Sequence, residues 1–342
     1  MLEKPNLDDA AIAAALRDHH ALDVATLEFM PIGNDVGSYV YRVATRGDST
    51  YFLKARRAPM YEPGVLVPRY LHEQGIHQAI APLPTRSGAL WVPFGAFNLI
   101  LYPFIEARTG MDAGLTAPQW KELGRALMKV HALDPPPHIR RSVARESFDA
   151  PYWVAELRRL QVRIDSAARR DAIDAELAAF WAEHQHQMYG LMERTLALGR
   201  ELLAAPREFV LCHSDIHTAN VLVEPNGALH IVDWDQPVFA PKERDLMFFG
   251  AGLGNLTGGT DDALHFYDGY GSTNVDPTAF AYYRYAWVMQ DWVAYGAEVL
   301  LHDDLGEATR RKSLRSFIEM FAPGNVVDVA YASDIAADRG ES

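Results

Sequence analysis

Read from its start, the chain places apolar residues first at helical spacing, then in short alternating runs, then at helical spacing again. Over residues 7 to 20, Ile12 and Leu16 fall four apart behind Asp8 and Asp9, either of which can cap a helix. From about Leu27 to Leu53 the pattern shortens to strands. Tyr39-Val40-Tyr41-Arg42-Val43 and Thr50-Tyr51-Phe52-Leu53-Lys54 flank a Gly47-Asp48 turn, and the polar stretch Pro31 to Ser38 precedes them. Pro63, Gly64 and Pro68 are expected to interrupt the next helix, which closes over Leu71 to Gly75 with Gly75 just past its end. A hairpin around Arg86-Ser87-Gly88 leads to Phe97–Leu101, a buried strand that breaks at Tyr102-Pro103-Phe104-Ile105-Glu106.

From Thr116 the pattern is helical. Thr116 and Gln119 form a capping-box signature, and Trp120, Leu123, Leu127 and Val130 share one face until Asp134-Pro135-Pro136-Pro137. Residues 151 to 204 read as two charged, Ala/Leu-rich helices divided near Ser166-Ala167, with His184 and His186 on a solvated face. Further helices are expected near 261 to 270, 277 to 303 and 307 to 321, with a flexible Gly-rich connector over 250 to 259 and a loosely held tail from Pro323. Between the helical blocks lie three short apolar runs, Phe209–Cys212, Val221–Val223 and Leu229–Val232. Asn226-Gly227 joins the last two as a hairpin turn whose central positions both take positive φ. Such a hairpin sets Asn220 just before one strand and Asp233 just after its partner. Two oxygen ligands from opposite strand ends can then converge on one cation, with Asp215 on the loop beside them.

Composition narrows the class. The chain has 342 residues, 49% of them hydrophobic and 11% aromatic, enough for a sizeable core in one two-lobed domain or about two domains. No apolar run is long enough to span a membrane, and the N-terminus lacks the basic flank of a signal peptide, so a cytoplasmic protein without a membrane partner is expected. The single cysteine, Cys212, rules out an intramolecular disulfide framework and reads as a buried strand residue. The net charge of −13 disfavours nonspecific nucleic-acid binding and suits a cationic small molecule.

His213-x-Asp215-x-x-x-x-Asn220 followed by Asp233 resembles the catalytic loop and metal aspartate of kinases. His-x-Asp, together with Asp-Trp-Asp over residues 233 to 235, resembles the aminoglycoside phosphotransferase family, in which Asp245 falls on a further structural aspartate. Tyr70 to Ile76, Leu101 to Glu106 and Gln119-Trp120 look most like that family's spectinomycin phosphotransferase branch. The resemblance covers roughly residues 25 to 300. It implies an α+β, two-lobed protein-kinase-like fold: a small β-rich lobe over 1–104, a larger helical lobe over 105–325, and a tail over 326–342.

The same resemblance assigns roles. Asp215 would be the catalytic base, and Asn220 and Asp233 the ligands of Mg²⁺. Lys54 would neutralise the phosphates of ATP or GTP, oriented by Glu62 or, as second choice, Glu73. Gly33, Asn34, Gly37 and Ser38 would cover the phosphates, since glycine lets backbone N–H groups approach them. Tyr102, Pro103, Phe104 and Ile105 would meet the adenine where the lobes join. His213 would brace the loop, and Asp235, Asp268 and Asp291 are candidates to face a cationic substrate. The expected activity is transfer of a γ-phosphoryl group to a hydroxyl of an aminoglycoside or aminocyclitol such as spectinomycin. The alternatives are a kinase of choline, homoserine or a sugar-type metabolite, and a pseudokinase that only binds nucleotide. Oligomeric state is open.

Overall fold

The alternating early segment folds into an antiparallel five-stranded sheet in the order β1-β2-β3-β5-β4. Its strands are β1 (Val24–Met30), β2 (Ser38–Thr45), β3 (Thr50–Arg57), β4 (Val92–Phe94) and β5 (Phe97–Pro103). The computed structural model describes residues 3–33, 35–148, 150–166 and 170–339. Those residues form two compact units, Met1–Ala144 with His213–Pro237, and Arg145–Cys212 with Val238–Ser342. The segment His213–Pro237 therefore belongs with the N-terminal sheet, a division that differs from the continuous one expected at residue 104.

In the first unit, helix Asp9–His20 is capped by Asp8, whose side chain accepts from the Ala10 N–H. Tyr41, Val43, Leu53 and Ala55 are fully buried between strands. Helix Pro63–Glu73 forms despite its two prolines. Pro63 stands in the first turn, where a missing N–H has no intrahelical partner to lose, and Pro68 forgoes one internal bond. Gly75 follows the helix with φ 81, as a C′ glycine should. Helix Ala117–His131 starts with the expected capping box and buries Trp120, Leu123, Leu127 and Val130.

The hairpin of Val221–Val223 and Leu229–Ile231 pairs Val221 with Ile231 and Val223 with Leu229. Its turn differs from the one expected. Gly227 alone takes positive φ, at 90°. The Gly227 N–H bonds to Glu224 O and the Glu224 N–H to Ala228 O. Pro225 fixes a negative φ at the first turn position, which forbids the mirror-image turn and leaves a type I turn closed by a left-handed glycine. Three neighbours hold the hairpin: Arg108–Thr109 pairs with Val223 and Leu222, Ile231 exchanges backbone bonds with Gln78 and Ile80, and the Gln119 amide donates to Gly227 O.

The second unit is built on helices Ala150–Asp165, Ala172–Leu203, Pro277–Leu300, Glu307–Glu319 and Val326–Arg339. Gly296 allows close helix contact, since a Cβ there would lie 2.7 Å from a methyl of Leu160. Val326–Arg339 is a helix where a loose tail was expected, and Val327 and Ala330 bury on one face of it. His184 is half-buried and stacked on Phe180, centroids 4.0 Å apart, while His186 is exposed as expected. Cys212 ends strand Val210–Cys212, fully buried, and burial pushes its thiol pKa well up. Among the described residues no helix is long and apolar enough to cross a membrane.

Candidate active site

Lys54 lies in β3 opposite Val40 of β2 and Ile100 of β5, so its aliphatic stem is buried in the sheet. A buried ammonium needs carboxylates, and two supply them. Its Nζ lies 3.0 Å from Asp233 Oδ1 and 2.6 Å from Asp235 Oδ2. Burial works against the charge, but the two aspartates outweigh it and raise the Lys54 pKa above its usual value. The lysine is a permanent cation. Glu62, expected to be its partner, is exposed at the start of helix Pro63–Glu73, and Glu73 pairs instead with Arg69 at 2.7 Å. Glu62 is the residue just before the helix.

Asp233 takes a left-handed conformation, φ 63, which bends the chain out of the strand so that both Asp233 and Asp235 meet Lys54. Its other carboxylate oxygen has no protein donor among the described residues. Asn220 sits at the opposite end of the hairpin. Its backbone oxygen accepts from Val232 N at 2.9 Å, one rung beyond the ladder, which brings it beside Asp233. The Asn220 amide nitrogen donates to Asp215 O at 2.8 Å and to Asp215 Oδ2 at 3.2 Å. These bonds orient the amide and leave its oxygen without a protein donor among the described residues. Asp215 remains half exposed, with His217 Nε2 lying 3.4 Å from its Oδ1.

The loop is braced from beneath. His213 is buried, and its Nδ1 accepts from Asp215 N at 3.2 Å. Nε2 therefore carries the hydrogen and donates to Val232 O at 2.9 Å. Ser214, also left-handed at φ 75, donates its hydroxyl to Gln236 O at 2.8 Å. A left-handed non-glycine residue costs about 1–2 kcal/mol, and these side-chain bonds offset it.

In the stretch between β1 and β2, Asp35 accepts from Gly37 N and Ser38 Oγ, both at 2.7 Å. Gly33 takes φ 84, while Asn34 lies outside the described residues. Tyr102 and Pro103 end β5, followed by half-buried Phe104 and Ile105. Burial raises the Tyr102 phenol above its usual pKa, so it stays neutral. Asp268, exposed on helix Thr260–Tyr270, and Asp291, half-buried on helix Pro277–Leu300, belong to the second unit. Sequence reasoning missed Arg56, which pairs with Asp235 and lies 3.8 Å from Asp35. The signal was present, because two residues apart on a strand means the same face.

The profile of the phosphotransferase enzyme family matches residues 28–288. The chain belongs to that family. It is thus a small-molecule phosphotransferase with a hydroxyl acceptor, and its β-rich N-terminal and helical C-terminal regions are those of the kinase-like fold. Spectinomycin phosphotransferase APH(9)-Ia, solved with ADP and spectinomycin, is 33% identical with a TM-score of 0.87, over 96% of this chain and 99% of that one. Protein StrN of Streptomyces griseus is 29% identical over 261 residues, 74% of this chain and 78% of StrN. An ethanolamine kinase of Plasmodium vivax, 13% identical over 97% and 93% of the two chains with a TM-score of 0.62, shares the fold.

Proposed function

We propose that the protein transfers the γ-phosphoryl group of ATP to a hydroxyl of a small cationic molecule, an aminocyclitol of the spectinomycin type, and so inactivates an antibiotic. The observation that carries this reading is the 33% identity and TM-score of 0.87, over nearly the whole of both chains, with a phosphotransferase holding ADP and spectinomycin. The arrangement of Lys54, Asp215, Asn220 and Asp233 supports it.

Asp215 accepts a hydrogen bond from the acceptor hydroxyl and takes its proton as transfer proceeds. The Asn220 amide steadies this carboxylate while its own oxygen faces away from it. That oxygen and the free oxygen of Asp233 are the hard donors that Mg²⁺ requires, so the residues present fit the ion. When bound, Mg²⁺ neutralises charge on the phosphates. Lys54 supplies a second positive charge from the floor of the sheet. Gly37 and Ser38 present backbone close to where the phosphates lie. Catalysis of this kind is mostly positioning and electrostatics.

The test is purified protein with Mg²⁺-ATP and a panel of spectinomycin, other aminoglycosides, choline, ethanolamine and homoserine. Phosphorylated spectinomycin detected by mass spectrometry is expected. Turnover on an amino alcohol alone would overturn the acceptor, and tight ATP binding with no turnover on any compound would overturn transfer itself.

A further inference from the structure

Lys54 and Arg56 lie two residues apart on β3 and project from the same face of the sheet. Both end on one carboxylate. Asp235 Oδ2 accepts from Lys54 Nζ at 2.6 Å and from the Arg56 guanidinium. Arg56 also lies 3.8 Å from Asp35, whose carboxylate takes the Gly37 N–H and the Ser38 hydroxyl. A continuous line of charge-assisted contacts thus runs from the turn before β2, through Arg56 and Asp235, to Lys54.

We propose that Asp235 is the carboxylate that positions Lys54, and that Arg56 holds Asp235 in place and links it to the glycine-bearing turn. The reaction gives the two aspartates different work. Asp233 has an open oxygen and is half exposed, whereas Asp235 is shared between two cations that are themselves mostly buried. When Asp233 turns to a divalent cation, Lys54 keeps Asp235, so the lysine neither collapses onto the metal ligand nor drifts from the phosphates. Arg56 makes this possible, because a carboxylate bound by a second cation stays where it is.

The neighbouring helix explains why the work falls to Asp235. A glutamate on that helix would have to reach Lys54 past its first turn, but the backbone of the first turn is packed against Asp235. A Cβ on Gly64 would lie 3.0 Å from Asp235 O and 3.3 Å from Trp234 O. Glycine at this position lets the helix start close over the Asp-Trp-Asp turn, and Glu62 is left outside.

The proposal rests on the phosphoryl-transfer reading only for what Lys54 does, not for what holds it. Competitive acylation of Lys54 in nucleotide-free protein, quantified by peptide mass spectrometry, reads the pairing directly. Asp235→Asn and Arg56→Gln are expected to raise Lys54 labelling several-fold, Arg56→Lys to restore protection, and Glu62→Gln to label like the native chain. Equilibrium ADP binding should weaken roughly tenfold in Asp235→Asn and Arg56→Gln, the lower end for residues that orient a ligand-binding group. Native-level Lys54 labelling in folded Asp235→Asn, or an equal rise in Glu62→Gln, would overturn the assignment. If Asp235→Asn fails to fold, the contrast between Arg56→Gln and Arg56→Lys decides in its place. Failure of the native protein to phosphorylate any acceptor would count against the proposed function and leave the labelling result standing.

Discussion

Each unit carries, among the described residues, a cluster of buried cations and aspartates, and the two are finished differently. In the second unit, Arg310 donates to Asp171 at 2.5 Å and to Asp174 at 2.7 Å, and Arg163 reaches Asp174 at 3.2 Å. The Arg170 backbone N–H adds a further bond to Asp174 at 3.1 Å. Asp171 also caps helix Ala172–Leu203 by accepting from Ile173 and Asp174 N–H groups. Asp174 is 0% exposed, and both of its oxygens are taken. In the first unit, Lys54 and Arg56 meet Asp235, and Lys54 also meets Asp233, which is half exposed and keeps one carboxylate oxygen without a protein donor among the described residues. Both are built of basic side chains and aspartates. A cluster whose carboxylates are all matched holds helices together, whereas one left short of donors can take a cation or a proton.

Removing Asp215, the proposed base, should produce the largest effect. Asp215→Ala is expected to lower transfer by roughly 10²–10⁴-fold, the range for general base catalysis, with nucleotide affinity nearly unchanged. Single-turnover kinetics beside a binding titration reads both, and retained turnover would remove Asp215 from the role of base. The closed cluster should answer in stability instead. Asp174→Asn takes from buried Arg310 one of its two carboxylates and is expected to cost up to about 3–5 kcal/mol, the range for breaking a buried pair, while turnover per folded molecule is kept. Urea unfolding measures it, and a loss no greater than that of a surface pair would show that the cluster is not closed.

The smallest effect is one of pH. The hydrogen bond from Arg310 is the main cause that lowers the Asp171 carboxyl from 3.8 to about 2. A carboxyl whose pKa is depressed by folding contributes stability above its unfolded value and loses it as pH falls through the folded one. Between about pH 4 and pH 2, the melting temperature of the native chain should therefore fall more steeply than that of Asp171→Asn. Parallel slopes for the two proteins would mean that the Asp171–Arg310 pair adds nothing at acid pH.

The sequence revealed the open cluster more readily than the closed one, and the reason is physical. Asp215, Asn220 and Asp233 are bound to one short hairpin, so local spacing already brings them together. The capped helix at Thr116 and the sheet strands were legible for the same reason. The partner of Lys54 was not, because the choice between Glu62 and Asp235 depends on where the first turn of a helix packs, and Asp235 lies 181 residues along the chain from Lys54. Arg310 reaches Asp171 and Asp174 across more than a hundred residues, and no periodicity announces that. The turn at Pro225 was misread for a local reason. The Asn-Gly pair outweighed the proline before it, although proline alone settles the sign of φ.

The order in which the chain builds its two units has a consequence for synthesis. Residues 145–212 emerge from the ribosome before His213–Pro237, the piece that completes the first unit, and wait in turn for residues 238 onward. The first unit cannot close until residue 237 has been made, and the second waits for the residues after it. A chain stopped anywhere before residue 233 holds a finished sheet and a lysine with neither of its aspartates. Nascent protein therefore carries a buried cation without its counter-charge until most of the message has been read, and premature products are marked by that imbalance as unstable.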